Sequence, residues 1–123
     1  MGVSEDLSGP IIASEQLDGL FAAAGAEGLQ EILDAFWRST EELLTSLEAQ
    51  VQTQDFTEAA RTAHAIKGSA SNVGAHLLAE TAKALEAACR EENGDNLSAS
   101  YESARDAVGV TKTAIEERFA AAG

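Results

Sequence analysis

Between Glu27 and Gln52, Leu29, Leu33, Phe36, Leu43 and Leu47 recur at steps of three, four and seven, with polar residues between them. That period belongs to an amphipathic helix; a half-buried strand would alternate instead. Ile32, Trp37, Leu44 and Val51 widen the stripe, as a bundle member requires and a narrow coiled-coil seam does not. The period continues in Ala59, Ala63, Ile66, Ala70 and Val73, a helix that Asp55 can cap with Glu58 three residues later. Leu78, Leu85 and Ala88 mark a helix over about 75–92. Leu97, Tyr101, Ala104, Val108, Ile115 and Phe119 mark another over about 97–120. A short helix over 14–24, with Leu17, Leu20 and Phe21 on one side, precedes these and stops at Gly25. Asn93-Gly94-Asp95-Asn96 is the clearest turn, and Gly74 either ends a helix or bends one.

Short connections make consecutive helices antiparallel neighbours. The pattern therefore predicts an all-α fold, an antiparallel up-down-up-down four-helix bundle with a short extra N-terminal helix. Residues 1–13 read as a flexible N-terminal arm and residues 14–123 as the bundle domain. A chain of 123 residues that is 45% apolar can close one core, so a monomer is expected. The single proline and the abundance of Ala, Leu and Glu agree with helix.

Charge narrows the functions. A net charge of −13 argues against nucleic acid and against an anionic membrane surface, both of which need clustered Lys and Arg. No apolar run is long enough to span a bilayer, and the first ten residues carry no cleavable signal pattern, so a cytoplasmic location is expected. Cys89 is the single cysteine and falls within an apolar helical pattern, as a small core residue would.

The chemistry concentrates in His64-Ala65-Ile66-Lys67-Gly68-Ser69-Ala70-Ser71-Asn72-Val73-Gly74-Ala75. His64 is one residue, or roughly 100° of helix, from the core position Ala63. It thus lies at the edge of the buried stripe beside Ala60, Lys67 and Ser71. Its neighbours are small, and Gly68 in mid-helix costs roughly 1 kcal/mol relative to alanine. A glycine retained there leaves room for something to approach closely. The pattern suggests a nucleophilic imidazole presented to another protein, with a cation in reach of whatever the ring binds. On the next helix Lys83 and Glu86 share a stripe with Ala79 and Arg90, and in an antiparallel pair that flank can face His64. A carboxylate accepting from one ring nitrogen would leave the other as the nucleophile. The same two residues could equally form an ordinary surface ion pair. His76 lacks the Lys-Gly context and reads as a surface or capping residue. The Glu-x-x-His spacing of di-iron bundles is absent, as is zinc-ligand spacing among Cys89, His64 and His76.

The run from His64 through Lys67-Gly68-Ser69 to Gly74-Ala75-His76-Leu77-Leu78 resembles the histidine-containing phosphotransfer (HPt) domains of two-component phosphorelays. The number and order of helices extend the resemblance from about Gln16 to Phe119, and Leu85-Glu86 matches the family's fourth helix. Ile66 replaces the commoner leucine, a volume-conserving change. The resemblance implies that His64 is the phosphoacceptor, on Nε2, that Lys67 stabilises the phosphoryl group, and that Glu86 orients His64. It implies receiver docking at Ala60, Gly68 and Ser71, with Lys83 as a possible accessory. It implies a phosphoryl carrier that is not itself an enzyme. The partners would be response-regulator receiver domains and a sensor or hybrid histidine kinase. No cofactor is expected on this chain, because the receiver supplies Mg²⁺. With no nucleotide-binding signature and no kinase domain, the chain reads as a stand-alone carrier. The alternative is a helical adaptor that binds receivers without being phosphorylated.

Overall fold

A computed structural model describes residues 10–120 of the chain. They form four helices: α1 (Ser14–Gln52), α2 (Phe56–Val73), α3 (His76–Glu91) and α4 (Gly94–Ala120), with no strand among the described residues. Successive helices pack against each other and α1 meets α4, which closes the all-α antiparallel bundle. The segment expected as a separate short helix is joined to the long one in the single span Ser14–Gln52, interrupted at Gly25, whose φ of 77° and ψ of 175° are not helical.

The three connections follow one local rule. Each helix ends on a residue in the left-handed region: Gln54 (φ 54°) after α1, Gly74 (φ 84°) after α2 and Glu92 (φ 55°) after α3. The amide that follows each of these reaches back: Asp55 N–H to Gln50 O (2.9 Å), Ala75 N–H to Ala70 O (2.9 Å) and Asn93 N–H to Ala88 O (3.2 Å). This is the Schellman arrangement, which satisfies carbonyls that the helix end would leave unpaired. Gly74 thus ends α2 rather than bending it. Asp55 caps α2 as expected, its Oδ1 accepting from Glu58 N–H at 3.3 Å. The last helix starts three residues before the expected Leu97, because Asn93 is its cap and accepts from Asn96 N–H at 3.1 Å. Gly94-Asp95-Asn96, read as a turn, is the first helical turn.

The main core joins Phe36, Leu44, Leu47, Ile66, Leu78, Leu85, Leu97 and Val108 across all four helices. A second cluster of Leu17, Leu29, Leu33 and Ile115 fixes the N-terminal part of α1 against α4. Residues 1–9 of the expected arm lie outside the described residues. Its remainder is strapped to the α2–α3 turn: Ala13 N–H donates to Gly74 O at 2.8 Å and Leu77 N–H to Ile11 O at 3.0 Å. Gln16 Nε2 adds bonds to the Ser71 and Asn72 carbonyls at 2.7 and 2.8 Å. A cleft of about 570 Å³ between α1 and α4 is lined by Phe21, Leu33, Trp37 and Phe119 and includes no residue of α2 or α3. No described helix is long and apolar enough to cross a membrane.

Candidate functional site

The α2–α3 pair carries the site. The five apolar positions expected on α2 (Ala59, Ala63, Ile66, Ala70 and Val73) are all buried, and Thr62 joins them. It sets His64 outward, with 67% of its side chain exposed. Small residues line this pairing: Ala59, Ala63 and Ala70 of α2, Ala75 of the turn and Ala82 of α3 are fully buried. Close approach of the two helices brings Glu86 of α3 beneath His64.

Glu86 is the centre of the site. Its side chain is 8% exposed, unusual for a glutamate, and it is held by three nitrogens. Lys67 Nζ donates to Oε1 at 3.0 Å, Arg90 Nη2 donates to Oε2 at 2.8 Å, and His64 Nδ1 lies 3.2 Å from Oε2. Burial alone would raise the Glu86 carboxyl. The hydrogen bonds from Lys67 and His64, with the charges of Lys67 and Arg90, outweigh it and hold the carboxyl below its usual value. The group is therefore ionised near neutral pH and can only accept. It follows that His64 Nδ1 carries the proton. In the neutral ring the lone pair is then on Nε2, the nitrogen that Glu86 does not engage.

Around this centre Gly68 is exposed, and open space surrounds the place where a Cβ would sit. Ser71 is exposed, and Ala60 is half-buried against the main core. His64, Lys67 and Glu86 thus meet as expected. Lys83, paired with Glu86 in the sequence reading, is exposed and makes no hydrogen bond or ion pair among the described residues. Arg90 takes the i,i+4 place on the carboxylate instead. The sequence reading set Arg90 in the right stripe but gave it no role. His76 is the first residue of α3 and is away from the cluster. Burial, and then the charge of Glu86, push the Cys89 thiol up, so this cysteine is a core residue and a poor nucleophile. Among the described residues no three His, Cys, Asp or Glu side chains gather as a metal site requires.

The cluster is one exposed imidazole fixed in one tautomer, with cations beside it and no enclosing pocket. Comparison with protein families matches the Hpt domain over residues 31–121. The chain belongs to the Hpt domain family. Membership of that family makes it a phosphorelay carrier. Its fold matches that of the histidine-containing phosphotransfer protein ZmHP2 from maize, with a TM-score of 0.77 and 22% identity. That match covers 93% of this chain and 86% of the maize chain. No curated protein matches the sequence.

Proposed function

We propose that this Hpt domain receives a phosphoryl group on His64 Nε2 from the aspartyl phosphate of a receiver domain, or from a histidine kinase, and passes it to the aspartate of another receiver. The observation that supports this reading best is Nδ1 of an exposed His64 lying 3.2 Å from the buried Glu86 carboxyl. That contact makes Nε2 a nucleophile without any proton having to leave it first.

The transfer is an in-line displacement. The Nε2 lone pair forms the N–P bond, and the P–O bond to the receiver breaks, leaving its electron pair on the aspartate. The Nδ1 proton stays in place, so the product ring is cationic and faces the Glu86 carboxylate. Mg²⁺ belongs to the receiver in this reading, and this chain supplies position and charge. Lys67 offsets the phosphoryl charge. Gly68, with Ala60 and Ser71 beside it, leaves the flat surface that a receiver needs to reach Nε2. Lys83 lies at the rim, where it meets the partner rather than the phosphoryl group.

The test is transfer of label from a phosphorylated receiver or its kinase to wild type, His64→Gln and His76→Gln. We expect acid-labile, base-stable label on wild type and His76→Gln and none on His64→Gln, with helical content unchanged. Label that persists on His64→Gln overturns the assignment. No label on any chain from competent donors, with receiver binding retained, makes the domain an adaptor.

A further inference from the structure

Glu86 and the phosphoryl group of the preceding reading compete for the same lysine. In the unphosphorylated chain Lys67 is not free: its ammonium lies 3.0 Å from Glu86 Oε1. We propose that phosphorylation of His64 draws Lys67 off Glu86 and onto the phosphoryl oxygens, and that Arg90 is the positioning residue that makes this exchange possible. The proposal rests on His64 being the phosphoacceptor.

Three observations carry it. First, a carboxylate as buried as Glu86 cannot be left without a cationic partner, because an unpaired buried charge is strongly destabilising. Lys67 can leave only if another cation stays, and Arg90 Nη2 is already 2.8 Å from Oε2, the oxygen that Lys67 does not use. Second, the two cations suit different tasks. Arg90 is on α3 with Glu86, one turn further on, and its planar fork holds a fixed carboxylate well. Lys67 is on α2 with His64, one turn further on, and its flexible stem ends in three rotatable donors. Third, the charges drive the exchange in one direction. A phosphoryl group carries more negative charge than a carboxylate and offers three acceptor oxygens. After transfer the imidazole is also cationic, and it replaces at Oε2 part of the charge that Lys67 withdraws from Oε1. Atoms balance without a co-reactant: Lys67 keeps its proton, Nδ1 keeps its proton, and one hydrogen bond is exchanged for another.

Arg90 should therefore act on the phosphohistidine without touching it, and only while residue 86 is an anion. The test uses the full chain phosphorylated with phosphoramidate, with the phosphohistidine confirmed by ³¹P NMR and its decay followed at pH 7. Lys67→Gln should change the half-life at least threefold. Arg90→Gln should change it in the same direction to a similar extent, since Glu86 then keeps the lysine, and Arg90→Lys should restore it. In the Glu86→Gln background, Arg90→Gln should have less than a 1.5-fold effect. The Lys67 side-chain ammonium signal should move on phosphorylation of wild type and much less in Arg90→Gln. Arg90 is largely exposed and Glu86→Gln is isosteric, so all variants should fold, with circular dichroism as the check. An Arg90→Gln effect of equal size with Glu or Gln at position 86 overturns the proposal, as does an unmoved lysine signal in phosphorylated wild type. A chain that forms no phosphohistidine on His64 overturns the carrier reading as well, whereas the other two results leave that reading intact.

Discussion

At the scale of single residues, Glu86 and Gly68 place function and stability in opposite balance. Glu86 is stabilised as an anion by Lys67, His64 and Arg90, so its folded carboxyl titrates below the ordinary value of 4.5. The folded state then binds fewer protons than the unfolded one. The contribution to stability is complete above about pH 4.5 and is lost as pH falls through the lower folded value. Thermal melts between pH 7 and pH 3 should show wild type losing more of its midpoint than Glu86→Gln; parallel losses would mean that Glu86 is not ionised in the fold. Gly68 is the reverse case. Among the described residues nothing occupies the space of its missing side chain. Gly68→Ala should raise stability by about 0.5–1 kcal/mol through helix propensity, read as a higher melting midpoint. Gly68→Gln should keep the fold yet weaken receiver binding about tenfold, because its bulk meets the partner and not the chain. His64, Lys67, Gly68 and Glu86 were legible in the sequence because one helix repeat relates the first three and one antiparallel pairing adds the fourth. The role of Arg90 was not, since it depends on how deeply Glu86 is buried, and spacing alone does not separate Lys83 at i−3 from Arg90 at i+4.

Elements were legible wherever an apolar stripe drew them, and less so at their ends. The stripe of α2 named every buried apolar residue of that helix and missed only Thr62, whose hydroxyl bonds back to the Glu58 carbonyl. Only one of the three turns signals its left-handed residue with a glycine, whereas Gln54 and Glu92 take that conformation without the residue that favours it. A reading that stops helices at glycine finds Gly74 and passes over the other two. It also took Asn93-Gly94-Asp95-Asn96 for a loop, although Asn93 is the cap and the rest is already helix. The turns make opposite predictions. Glu92→Gly should stabilise the fold by a few tenths to about 1 kcal/mol, because it removes the Cβ that the left-handed region disfavours. Gly74→Ala should destabilise it by about 1–3 kcal/mol, since the residue is held at φ 84° and a Cβ there would sit 3.2 Å from both Ala13 O and Leu17 Cγ. Denaturant melts of the two variants decide both signs. Gly74 matters to the site as well: the strap over its turn also holds the carbonyl of Ser71, on the proposed docking face.

Charge is the property that only the whole molecule shows. The net charge of −13 reads as solubility and as exclusion of anionic partners, and as an average it hides the site. Four of the chain's eight cations are on α2 and α3: Lys67 and Arg90 bond Glu86 beside His64, Arg61 pairs with Glu58, and Lys83 is exposed three residues before Glu86. The carboxylate beside His64, Glu86, is buried and already bonded. The face around the histidine is thus locally basic on a strongly acidic protein. A phosphorylated receiver brings negative charge to Nε2, so attraction is confined to this face and repulsion from the acidic remainder disfavours other approaches. Screening removes both contributions within about 10 Å at 0.1 M salt and within about 3 Å at 1 M. Receiver association should therefore weaken about three- to tenfold between 50 and 500 mM salt, chiefly through a slower on-rate. Lys83 makes no hydrogen bond or ion pair among the described residues, so Lys83→Glu should slow association at low salt without altering the melting midpoint. The gap between this variant and wild type should close as salt rises. Association that is insensitive to salt, or a Lys83→Glu deficit that survives at 500 mM, would show that docking is governed by apolar contact around Gly68 and that the basic face serves the phosphoryl group alone.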